Sequence, residues 1–576
     1  MRKPLLRLYA PFLALALAQA TFIAVAPSKG PAQDVAFAPG DYAAPSGDDT
    51  AANDQSPNDA TGTDPDGTQD PGGINGQDSD DGTGPSTPGT NPRPRQTTGG
   101  DPGTPIAGDT SHCTANGRQH GKYYQSPPCV AKWTGGDNGG ETADGVTDKS
   151  IKILFYREKK NEAVAAILQQ EGLARSNQEE EEFAAASEAF LNKHHEFYGR
   201  KLDIEVFYGE CPETPPNVPV CKAEAREMAK LKPFMVVWPV PLYPDVFDEF
   251  YKLGIITIGG WHFADRYFTQ RQPYRYDVFM DGTQTADMVA EYYCKKMARK
   301  PATHAGRVIH PTIGSRGQVP RRVGIITPEN PAFLDAAKRT QAKIKACDAQ
   351  EPVLVSYESN IERSQTQASA NISALIDGKV TTVVCMCDPI APVFRTTTAT
   401  QQGYFPEHLL SGSGLLDYDK LGRLYEPRQW EHAFGPSHLQ YYGPFAQSEA
   451  AITWRESGRP GLPCQACLLP WAYYNLAGSL IQMAGPNLNA TTVNRAAQNW
   501  DPVGGWGQTK GRSDVVLTAM GPGDFTAVSD AKEVFWTATG VSRIDGRPGS
   551  YGTLRSGRRY MLGEWDSTFE IPVPTN

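Results

Sequence analysis

No cysteine occurs before Cys113 in this chain of 576 residues. A lipid-modified cysteine close behind an export signal is therefore excluded. No segment after the first thirty residues is apolar enough to cross a bilayer. Several catalytic signatures are also missing: G-x-S-x-G, the phosphate-cradling G-x-x-x-x-G-K-[ST] loop, G-x-G-x-x-G behind a strand, and H-E-x-x-H. The densest run of acids, residues 179–182, reads as the surface of a helix. An enzyme is not expected, and no cofactor is expected. The histidines are scattered, with no metal-like spacing beyond the neighbours His194 and His195, so no metal site is expected either. A basic stripe is lacking, which argues against nucleic acid as a partner.

What charge there is lies in one place. Residues 31–110 hold fourteen Asp, no Glu, and only Arg93 and Arg95 as cations, whereas the whole chain carries a formal net charge of -10. The remainder is close to neutral. This stretch has almost no large apolar residue, so it cannot bury enough surface to offset chain entropy. It is expected to be a disordered linker, extended by charge repulsion and proline. A spacer and a solubilising segment are both open readings.

Residues 1–30 read as an export signal. Arg2, Lys3 and Arg7 precede the apolar run PFLALALAQA, and Ala18-Gln19-Ala20 fits an A-x-A cleavage site. The alternative is an uncleaved N-terminal anchor, because apolar character continues to Ala26, roughly the short limit for a span. On either reading the folded part is extracytoplasmic, secreted or associated with the cell envelope. It would meet the membrane only through that segment.

The ten cysteines agree with export, where disulfides are the default. Four close pairs stand out: Cys113 with Cys129, Cys211 with Cys221, Cys385 with Cys387, and Cys464 with Cys467. Cys294 and Cys347 would complete five. Zinc on Cys385, Cys387, Cys464 and Cys467 is the weaker reading, because C-x-C is not the usual C-x₂-C knuckle.

From about residue 149 short apolar runs alternate with amphipathic stretches. IKILFY, LDIEVFY, FMVVWP and IITIGG read as strands, with helices over 178–197, 221–231 and 244–254 between them. The pattern restarts with a helix over 285–298, then strands RVGIIT, PVLVSY, TTVVCMC and HLLSGSG separated by helices. Helical crossovers between continuously apolar strands mean parallel, doubly wound sheets. Two blocks imply an α/β protein of two such lobes. Ligands of such sheets sit at the carboxyl ends of the strands.

The succession from IKILFY to GSGLLD, the segments FMVVWPVPLYPDVF, GIITIGGWHF and YRYDVFMDGTQTADMVAEYY, and the terminal SRIDGRPGSYGTLRSGRRYMLGEW together resemble the type I periplasmic binding proteins. The resemblance is to the branched-chain amino acid and receptor ligand-binding class, over about residues 149–576. It implies two hinged lobes closing on a ligand, while export and the close pairing lead to the expectation that at least Cys211 and Cys221 are joined. The implied organisation is a signal peptide or anchor at 1–30, the linker at 31–110, and a small cysteine-containing extension at 111–148. Residues 149–283 with about 430–535 would form lobe one, and 284–429 with about 536–576 lobe two. Gly282 and Gly435 would be hinge residues.

The strand-end loops then supply the candidate ligand-binding residues: Pro241, Tyr243, Gly260 and Trp261 on one wall, and Glu329, Asn330, Asp388 and Ser413 on the other. Several have a structural alternative. Trp261 and Tyr243 could pack, Glu329 and Asp388 could cap helices, and Ser413 could serve a turn. His262 is a lesser candidate. The first two loops lack the small hydroxyl residues that family members use for α-amino acids, which favours a ligand with a flat or apolar part. The expected function is capture of a small amino-acid-like, amide or aromatic solute, with an ABC transporter permease as a possible partner. A sensory or adhesion module uncoupled from transport is the alternative.

Overall fold

The computed structural model describes residues 108–237, 243–310, 316–348, 350–440 and 443–568. The expected leader and nearly all of the linker lie outside them. Among the described residues no helix is long and apolar enough to cross a membrane.

Two parallel sheets organise the molecule. The first contains β1 (Ser150–Lys159), β2 (Lys201–Pro212), β3 (Met235–Val237), β4 (Ile256–Ile258) and β5 (Arg275–Tyr276) in the order β2-β1-β3-β4-β5, all parallel. Its central residues are apolar on both faces because both faces are covered. Ile153, Phe155, Met235 and Val237 pack on the helices Asn177–His194 and Leu468–Ala484. Leu154, Tyr156 and Val236 face the helices Val218–Lys230 and Pro244–Lys252. The first of these helices begins in a capping box, Ser176 with Glu179, which satisfies two of its orphan donors.

The second lobe opens with a small antiparallel pair, β6 (Ala302–His304) and β7 (Arg316–Val319). Its main sheet contains β8 (Val323–Pro328), β9 (Val353–Tyr357), β10 (Thr382–Cys385), β11 (Glu407–Leu410) and β12 (Ala433–Ser437). These run parallel in the order β9-β8-β10-β11-β12. The same order thus occurs twice in the chain. Antiparallel β13 (Asp530–Val541), β14 (Pro548–Thr553) and β15 (Arg559–Met561) extend the second sheet at its β12 edge.

The lobe boundaries need correction. Ala433–Ser437 completes the second sheet, so the chain leaves that lobe after residue 437 rather than near 430, and it returns at Asp530 rather than near 536. Gly435 therefore sits inside a strand. Its φ of 143° and the backbone of Leu410 beside it leave no room for a Cβ. The crossings are the segments after β5, after β12 and before β13. The first and last pair with each other: Asp277 N–H donates to Phe525 O (3.0 Å) and Ala527 N–H to Asp277 O (3.0 Å).

The extension packs on lobe one. Gln482 Nε2 donates to Pro128 O (2.7 Å), and Lys122 pairs with Glu456 (2.6 Å). All ten cysteines are paired, as 113–129, 211–221, 294–347, 385–387 and 464–467. The zinc reading falls with this, because the thiolates are not available. Peptide mapping of secreted protein is expected to recover Cys211–Cys221 and Cys294–Cys347 as linked peptides. Free thiols at these four positions would contradict the pairing.

Candidate functional site: the interlobe cleft

The carboxyl ends of the two parallel sheets enclose a cavity of ≈ 450 Å³. This is within the usual size of a small-molecule pocket. Most of its wall is apolar, with contributions from Leu168, Leu173, Phe279, Phe333, Leu439 and Tyr473 among others.

Lobe one contributes the loop after β4. Gly259 and Gly260 have φ of 142° and 103°, and a Cβ on Gly260 would lie 2.3 Å from Arg275 Nη2. Only glycine fits there. Arg275 is itself buried beneath the loop. Its Nη2 donates to Gly259 O (3.2 Å), and its guanidinium lies over the rings of Phe247 (4.0 Å), Phe263 (4.7 Å) and Phe268 (5.1 Å). Burial draws it down to about 9, opposed by Asp277.

Trp261 follows, half-buried on the wall. Its Nε1 donates to the Tyr473 hydroxyl (2.5 Å), which donates to Asp277 Oδ1 (3.2 Å), and its ring meets Phe279 edge-on at 5.6 Å. Burial pushes Asp277 up to about 7. Tyr243 starts the helix Pro244–Lys252 and also lines the cavity. Its hydroxyl is shifted upward by burial and then by Glu358 and Glu329 of the other lobe.

Of the lobe-two candidates, Asn330 and Asp388 line the cavity and cap helices as well. Asn330 Oδ1 accepts from Ala332 N–H (2.9 Å). Asp388 Oδ1 accepts from Ile390 and Ala391 N–H (2.9 and 3.0 Å), and its other oxygen accepts from the Tyr357 hydroxyl. Glu329 and Ser413 are not brought to the cavity. Glu329 is exposed, and Ser413 is fully buried behind the wall, with its N–H on Ser411 Oγ (3.2 Å). Pro241 lies outside the described residues. His262 is an interlobe contact: buried, at φ 61°, its Nε2 accepts the Gly414 N–H (3.1 Å). Burial holds it down at about 3, so it is neutral and can accept.

Sequence reasoning missed the wall at the ends of β1 and β2, formed by Arg157, Glu158, Lys160, Glu213 and Thr214. The available signal was the charged run REKK at the end of an apolar strand, at a sheet's ligand-facing edge.

Contacts join the two lobes around this cavity. Thr214 Oγ1 donates to Ser359 O (3.0 Å) and accepts from Ile361 N–H (3.3 Å). Arg266 pairs with Asp335. An arm between β1 and the helix Asn177–His194 reaches across the cleft. Its Leu168 and Leu173 pack against the second lobe's core, and Glu171 pairs with Arg423 (2.9 Å) and Arg547 (2.8 Å).

No family model matches the chain, and no curated protein matches it. Solved structures do resemble it. One is a possible leucine/isoleucine/valine-binding protein from Rhodopirellula baltica, 11% identical over 71% of this chain and 97% of that one, with a TM-score of 0.47. A second is an ABC transporter solute-binding protein from R. palustris in complex with 4-hydroxybenzoate, 12% identical over 72% and 99%, TM-score 0.48. A third is a fatty acid ABC transporter substrate-binding protein from Thermomonospora curvata, 14% identical over 75% and 99%, TM-score 0.47. All three are described as binding proteins for small solutes, and at 11–14% identity the likeness is one of fold.

Proposed function

We propose that this is an extracytoplasmic solute-binding protein that captures a small molecule by closure of its two lobes. The observation that carries the reading is the ≈ 450 Å³ cavity enclosed by the carboxyl ends of two parallel sheets. Aromatic walls and a charged end suit a ligand with a flat or apolar body and one polar head. Contacts on both walls favour the closed state by their differential affinity. Delivery to an ABC permease is the use proposed for such capture. No catalytic step is proposed.

The test is mass spectrometry of small molecules released from natively purified protein, followed by calorimetry with the compound found. Trp261→Ala is expected to weaken binding by about 2 kcal/mol, roughly thirtyfold, as for a half-buried aromatic anchor. An unchanged affinity would remove Trp261 from the site. Failure to find any bound or binding small molecule would remove the function.

A further inference from the structure

Among the described residues three cations line the cleft, and each has a partner. Arg157 Nε and Arg175 Nε lie 3.1 and 2.8 Å from the same oxygen of Glu180, which is 1% exposed. Arg175 Nη1 also donates to Ala466 O (3.1 Å), and Lys160 Nζ donates to Arg175 O. Among the acids, Asp388 is occupied by its helix cap and Tyr357, Glu449 accepts from Trp471 Nε1 (3.2 Å), and Glu358 pairs with Arg363.

Two carboxylates remain. The Glu158 side chain is 9% exposed, and its Oε2 is buried with no hydrogen-bond partner; its other oxygen comes no closer than 3.9 Å to Arg157 Nη1. Glu213 accepts one bond, from Asn161 N–H (3.2 Å). The two residues sit on neighbouring strand ends, where Glu213 N–H donates to Lys159 O (3.0 Å). A buried carboxylate oxygen without a partner is costly. Both residues line the cavity, and the arginine nearest Glu158, Arg157, is shared with Glu180.

Resting on the solute-binding reading, we propose that Glu158 and Glu213 form a subsite for a cationic head group, an ammonium or amidinium, carried by an otherwise apolar or aromatic solute. A group with several N–H donors satisfies both carboxylates at once, and its charge offsets the acidic excess of the wall. Glu213 is pushed up to about 7, by burial first and then by Glu158. The subsite therefore repels its own second charge until a cation arrives.

The test uses three matched probes on the full chain: 3-phenylpropylamine, 3-phenylpropan-1-ol and 3-phenylpropanoate, with calorimetry of wild type, Glu158→Gln and Glu213→Gln. The amine is expected to bind about tenfold or more tighter than the alcohol and the acid, and each variant to collapse that preference to about twofold. Tightest binding of the propanoate, or a preference that survives both substitutions, overturns the cationic subsite while leaving solute binding in place. If no probe binds, the molecule released from native protein decides. A cation supports the subsite, an anion or neutral compound overturns it, and none at all overturns the solute-binding reading itself.

Discussion

Glu171→Gln is expected to open the cleft. Glu171 belongs to the arm that leaves lobe one after β1, yet its carboxylate is 6% exposed and sits between two arginines of lobe two. Arg423 Nε lies 2.9 Å from its Oε2, Arg547 Nη1 2.8 Å from the same oxygen, and Arg547 Nη2 donates to Oε1 at 2.9 Å. The two arginines do not contribute equally. Arg423 is 8% exposed and shares its charge with Asp545 at 2.6 Å, whereas Arg547 is 52% exposed and is screened by solvent. The Arg423 contact therefore carries most of the effect. Glutamine keeps the shape and removes the charge, so Arg423 falls back on Asp545 alone. Loss of a largely buried charge partner costs about 3 kcal/mol or more. All of it falls on the closed state, because an open arm can hydrate. The closed-to-open ratio is thus expected to fall by about a hundredfold. Ligand affinity falls by up to the same factor, because binding must then drive the closing. Leu168 and Leu173 keep their apolar contacts with lobe two, so the arm is not expected to unfold. Small-angle scattering of the unliganded protein should show a larger radius of gyration for the variant, and a double-mutant cycle with Arg423→Met should give strong coupling. An identical scattering curve and affinity would mean that the arm is fixed and the lobes do not part there.

Where the sequence was legible, local chemistry and tertiary burial agreed. The runs around Ile153–Tyr156 and Val323–Ile326 are apolar because helices cover both faces of their sheets, and a continuous apolar run reads as a buried parallel strand. Ser176 and Glu179 announce a helix start three residues apart. Asn330 and Asp388 were found as strand-end polar residues, and they prove to be helix caps that also face the cavity.

Other features depend on contacts between distant residues. β5 is only Arg275–Tyr276, too short for any periodicity, and it exists because β4 pairs with it. The arm over 160–175 carries no sign of its role in its own sequence, because its partners lie some 250 residues away in Arg423 and further off in Arg547. Arg157 and Glu158 look like solvated charges after a strand, yet Glu180 and the closing arm bury them. Ser413 was misplaced for the converse reason: a Ser-Gly turn at a strand end has the composition of a ligand loop, but a left-handed Gly412 turns it inward.

Glu407→Ala is expected to be the most destabilising single change in lobe two. Glu407 begins β11 with its side chain 0% exposed, paired with Arg321, which is 1% exposed. The carboxylate also accepts from Thr382 Oγ1 (2.7 Å) and from Thr303 N–H (2.8 Å). These four residues tie together β11, β10, the segment entering β8, and β6. Such a pair adds little net stability over a well-packed apolar substitute, since both charges lose water. Removing one partner is another matter: Arg321 would keep Lys300 O (3.1 Å), Pro301 O (2.9 Å) and Thr382 Oγ1 (2.9 Å) but lose the Glu407 carboxylate, while a cavity opens beside it. The expected cost is about 3–5 kcal/mol, seen as a lower midpoint in denaturant unfolding. Glu407→Gln keeps the volume and can keep only one of the two accepted bonds, since its amide nitrogen donates, and should still cost less than the alanine. Arg321→Met combined with Glu407→Leu should recover much of the loss, because neither charge is then buried alone. If Glu407→Ala unfolds within about 1 kcal/mol of wild type, water must reach this site. If the double variant is as unstable as Glu407→Ala, the cost lies in packing around β11 and not in the stranded charge.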